Sequence, residues 1–134
     1  MDKNFVVDNA VAIDIEGSLY DLHNFYDFKE LNIDAAIKVV SLLFVINSQT
    51  VKDRQMYEKV SIKFRGVQYF ELSQNFVSKI TCDLEEIGYK NPGDMDVDWL
   101  IDENKSVESD HIFFRFANDE FIRIYSKEAY CSVD

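Results

Sequence analysis

The chain has 134 residues, the length of one domain, and its 47% hydrophobic and 14% aromatic content supplies the apolar mass of a packed core, which excludes a disordered chain. Four Gly and one Pro exclude collagen-like and low-complexity classes. A formal net charge of −11 would repel a phosphate backbone, so no nucleic-acid partner is expected.

The first eight residues, from Met1 to Asp8, lack the basic start and apolar stretch of a secretory signal. The longest apolar run, 39–46, is far shorter than a bilayer span, so the expectation is a cytoplasmic chain with no membrane partner. Val11, Ile13 and Ile15 alternate with Ala12 and Asp14, which predicts a strand that ends in a turn at Gly17-Ser18. Residues 19–31 place apolar side chains at 19, 22, 25, 26, 28 and 31, a spacing that fits either a short helix or an aromatic-anchored loop. Alternation resumes at Ile33, Ala35, Ile37 and Val39 and becomes apolar on both faces through Ile46, as in a strand that begins half-exposed and ends inside a sheet. Residues 47–59 are either a mobile loop or a continuation of both flanking strands. Val60, Ile62 and Phe64 form the next strand, and its parity slips at Gly66, where a bulge, or alternatively a tight turn, accounts for the change.

Phe76, Ile80, Leu84 and Ile87 have helical spacing with Gly88 as a cap, so 73–87 reads as a helix, although Ile80, Cys82 and Leu84 also alternate. Residues 111–117 and 121–126 form a hairpin around Asn118-Asp119-Glu120. A three-residue loop pairs Phe114 with Ile124 and Phe116 with Ile122, which gives one continuous apolar face. The opposite face carries Phe113, Arg115, Phe121, Arg123 and Tyr125, and that register makes Arg115 and Arg123 cross-strand neighbours that need a carboxylate between them. Cys82 and Cys131 have no metal-ligand spacing and read as two buried thiols, with one disulfide as the alternative. The fold class is α+β: one domain over 1–134, mostly an antiparallel twisted β-sheet of five to seven strands with one or two short covering helices.

Charge is uneven along the chain. Residues 1–67 carry ten acids against eight bases, whereas 83–110 alone carry ten acids against Lys90 and Lys105. Asp94, Asp96, Asp98, Asp102 and Glu103 form the centre of this segment, together with Met95 and Trp99. The first three Asp match positions 1, 3 and 5 of a calcium-binding EF-hand. The sixth position is Trp99 instead of Gly and the twelfth is Lys105 instead of Glu, so no EF-hand is expected.

Catalytic spacing is absent: no G-x-S-x-G elbow, H-E-x-x-H, C-x-x-C or Gly-rich phosphate loop occurs, and no enzyme activity, cofactor or metal is expected. Three readings follow. The acidic stretch is a docking surface for a basic protein, with Asp94, Asp96, Asp98, Asp102 and Glu103 steering and Trp99 and Met95 anchoring. Alternatively, Arg115, Arg123 and His111 bind an anion in a sheet-lined cleft, as in a small-ligand or enzymatic domain. The third is a structural or oligomerisation module, with which a homodimer is compatible.

The stretch from Val60 to Val67 (VSIKFRGV), His111-Ile112-Phe113-Phe114-Arg115-Phe116 and Phe121-Ile122-Arg123-Ile124 resemble patterns in small acidic bacterial proteins, some of which are immunity proteins of polymorphic-toxin systems. The resemblance implies a cytosolic inhibitor that blocks a toxin by stoichiometric binding. Many such toxins are basic nucleases, a target compatible with the acidic segment.

Overall fold

The computed structural model describes residues 1–47 and 56–134. The strands are β1 (Asp2–Lys3), β2 (Val6–Asp8), β3 (Ala12–Ile15), β4 (Ser18–Asp21), β5 (Tyr26–Asp34), β6 (Val39–Ile46), β7 (Lys59–Leu72), β8 (Leu84–Lys90), β9 (His111–Phe116) and β10 (Phe121–Val133). Helix is confined to one turn, α1 (Phe76–Lys79), and two 3₁₀ turns at Glu103–Lys105 and Ala117–Asp119. The main sheet runs β5-β6-β7-β10-β9-β8 in antiparallel pairs, and β1 adds in parallel beside the second half of β10. A second sheet, β2-β3-β4, packs at the β8 edge, where Ile87 N–H donates to Ala10 O at 2.7 Å.

Alternation puts Val40, Leu42 and Phe44, then Val60, Ile62 and Phe64, then Ile112, Phe114 and Phe116, and then Ile122 and Ile124 into one core. The sheet curls into a half-barrel that brings its two ends near each other. Phe28 N–H donates to Cys82 O at 2.9 Å, and the Phe28 ring meets Phe116 at 4.9 Å and Phe76 at 6.4 Å. The molecule is therefore β-rich, and the covering helix expected over 73–87 is reduced to the turn that delivers Phe76 to this aromatic cluster.

Several local expectations change. Residues 33–39 do not form one strand, because the chain turns at 35–38: the Asp34 carboxylate accepts the N–H groups of Ala36 (3.2 Å) and Ile37 (3.4 Å), and Lys38 takes φ +57°. Residues 19–31 are the end of β4, a turn held by the Asp21 carboxylate accepting from His23 and Asn24, and β5. At Gly66 the strand runs straight through: Gly66 takes φ +65°, and the register against β10 shifts between the pairs Tyr125–Tyr69 and Ser126–Val67. The reading of 47–59 falls mostly on 48–55, outside the described residues.

The β9–β10 hairpin has a three-residue loop one position earlier than expected, at Ala117–Asp119, where Asn118 and Asp119 take positive φ. The pairs are Ile122–Phe114 and Ile124–Ile112, so the apolar face is kept and the register moves by two. Arg115 and Arg123 consequently face Phe121 and Phe113, not each other. Both cysteines are free. Cys82 is exposed and Cys131 is buried, its thiol pushed up to about 12 by burial. Among the described residues no helix is long and apolar enough to cross a membrane.

Candidate functional site

The pairs Lys90–His111, Gly88–Phe113 and Glu86–Arg115 align β8 with β9, so that Lys90, His111, Arg115 and Arg123 rise from the face opposite the core. All four are buried, and Lys90 and Arg123 almost completely. Buried cations need acceptors for their donors. Residues 91–101, here called the strap, cross this face and supply them from the main chain. Arg123 donates to Asn91 O at 3.0 Å and to Asp94 O at 2.8 Å, Lys90 donates to Trp99 O at 2.8 Å, and Arg115 donates to Val97 O. Glu86 takes Arg115 Nε at 2.8 Å, and His111 Nδ1 accepts from Arg123 Nε at 3.0 Å.

The strap ends in a two-way backbone bridge between Tyr89 and Ile101, at 3.0 and 2.8 Å, with Leu100 seated on Gly88. A Cβ on Gly88 would lie 2.6 Å from Leu100 Cβ, so only glycine admits this approach. Holding the strap by its carbonyls leaves the side chains of Met95 and Trp99 outward, 76% and 56% exposed. The Lys90 ammonium lies 4.7 Å from the centre of the Trp99 ring and fixes the indole from beneath. Trp99, which could equally have been a core residue, is therefore at the surface.

The carboxylates divide into two groups. Asp94 pairs with Lys90 at 3.0 Å and accepts Asp96 N–H at 2.9 Å, and these contacts hold its carboxyl below the ordinary range. Asp96 caps Asp98 N–H, and the side chains of Asp96, Asp98 and Asp102 are exposed and form no ion pair among the described residues. Glu103 turns inward. Burial acts to raise its carboxyl, but the donors Tyr89 O–H (2.6 Å), Val7 N–H (2.7 Å) and Lys3 Nζ (2.9 Å) outweigh that and hold it below its ordinary 4.5. Burial and the same carboxylate drive the Tyr89 phenol far up. Glu103 thus ties the strap's end to the N-terminal strands instead of facing outward with the three exposed Asp.

His111, Arg115 and Arg123 do share one face, but the distances above commit Arg123 to His111 and the strap, and Arg115 to Glu86 and the strap. Burial, and then the charge of Arg123, hold the His111 imidazole below its ordinary 6.5. Among the described residues no three His, Cys, Asp or Glu side chains are placed to hold a metal ion. Sequence reasoning missed Lys90, Glu86, Tyr89, Lys3 and Gly88. The only signal available was the Gly-Tyr-Lys run directly before the acidic stretch, and a main-chain acceptor leaves no mark in a sequence. Compared with known proteins, the chain matches no family model, and no curated protein or solved structure is significantly similar to it.

Proposed function

We propose that this chain is a protein-binding module that docks onto a basic protein surface through the strap, as an immunity-type inhibitor would. One observation carries the reading: Trp99 and Met95 stand exposed on a segment clamped from below, flanked by Asp96, Asp98 and Asp102, which form no ion pair among the described residues. An aromatic anchor held in place before binding loses little freedom on association. The three carboxylates raise the encounter rate with a basic surface, and desolvation of the indole slows departure.

The test is a triple reversal, Asp96→Lys, Asp98→Lys and Asp102→Lys, measured by calorimetric titration against a purified basic protein recovered from the source cell with the native chain as bait. The variant should keep its circular dichroism spectrum and lose association. The unmodified pair should weaken about tenfold or more between 50 and 300 mM salt, as screening of exposed charges requires. Equal affinity of the variant and the native chain would refute the proposal.

A further inference from the structure

Beside Glu103 and Tyr89 lies a hollow of about 300 Å³ whose walls also include Asp2, Lys3, Glu108 and Asp110. Its cations are already engaged. Lys3 Nζ is held by Glu103 and Tyr89, and the amino group of Met1, also in the wall, donates to Glu108 O at 2.9 Å. Asp110 is 3% exposed; its Oδ2 accepts Val107 N–H at 2.9 Å, while its Oδ1 is buried with no hydrogen-bond partner among the described residues. No ion pair reaches Asp110 among the described residues. A buried carboxylate oxygen without a donor is unfavourable, so the site is incomplete as it stands.

We infer that this hollow receives an arginine side chain of the partner, whose guanidinium completes Asp110 with Glu108 at the rim. The four carboxylates against two engaged cations set the sign of the occupant. A guanidinium offers five donors in a fixed fork, enough to serve Asp110 and a second acceptor together. The inference rests on the docking reading above, because the hollow is walled by Glu103, the residue next in sequence to the steering Asp102, and would give the same basic partner a specific receptor.

The experiment is an NMR titration of the ¹⁵N-labelled full chain with a hexa-arginine peptide, repeated on Asp110→Asn and on Glu108→Gln. Asparagine keeps an oxygen for Val107 N–H, and Glu108 is exposed, so the second variant carries the test if the first does not fold. Saturable shifts are expected at the amides of Lys3, Tyr89 and Asp110, with affinity at those amides at least tenfold weaker in each folded variant. Shifts confined to 95–99, with the variants titrating like the native chain, would overturn this inference and leave the docking surface standing. Shifts in the hollow with none at 95–99 would do the reverse, and shifts at neither place would overturn the inference.

Discussion

Arg123 is 1% exposed, yet among the described residues no carboxylate forms an ion pair with it. Two carbonyls and an imidazole take its donors instead, and Tyr69 lies over it at 5.5 Å. That arrangement constrains His111. Its Nδ1 accepts from Arg123, so the ring is neutral with its proton on Nε2, and it is packed between Tyr69 at 4.6 Å and Tyr125 at 5.5 Å. The charges around it are Arg123, which opposes protonation, and Asp110 and Glu71, which favour it less strongly. Because the folded value lies below the ordinary 6.5, the unfolded chain binds the extra proton between the two values, and stability falls as pH descends through that window. The urea midpoint should therefore drop between pH 7.5 and 5.5. It should drop less in His111→Gln, whose amide oxygen can accept from Arg123 but does not titrate; equal drops would remove His111 as the cause. Below this range Glu103 and Asp94, both held under their ordinary values, add a further loss as they take up protons.

At the scale of elements, the approach of the strap to β8 depends on Gly88. Gly88→Ala should destabilise the fold by about 1–3 kcal/mol through overpacking against Leu100 and accelerate amide exchange over 97–101; unchanged exchange would mean that the strap is held without this contact. Bulges explain which elements could be read from sequence. The β9–β10 hairpin was legible because period two is unbroken along β9 and along 121–124 of β10, and only its loop position was off by one. In β5 the register shifts between Phe28 and Glu30, so Phe28 and Leu31 reach the core three residues apart. In β8 it shifts between Leu84 and Glu86, so Leu84 and Ile87 do the same. A three-residue apolar spacing is a helical signature, which is why both segments resembled helices. The acidic stretch and the two arginines were likewise each visible. Their connection was not, since one partner in every contact is a peptide carbonyl.

At the scale of the molecule, the curled sheet is closed by Phe28, which meets Phe44 at 5.4 Å as well as Phe76 and Phe116. Phe28→Ala should cost about 3–5 kcal/mol in urea denaturation. It should also promote self-association seen by light scattering, because it loosens the contact near the outer edge of β5, a strand that ends the sheet with Ile33 51% exposed. A variant that stays monomeric at high concentration would separate closure from edge protection. The strap adds a different property at this scale. Lysine and arginine grip it through peptide oxygens, which every amino acid possesses, so the exposed side chains of Met95 and Asp98 can be exchanged without disturbing the tether. The scaffold and the recognition surface are thereby uncoupled, and one foundation can display many different exteriors. A designer could re-aim this protein at a new target by randomising those positions alone.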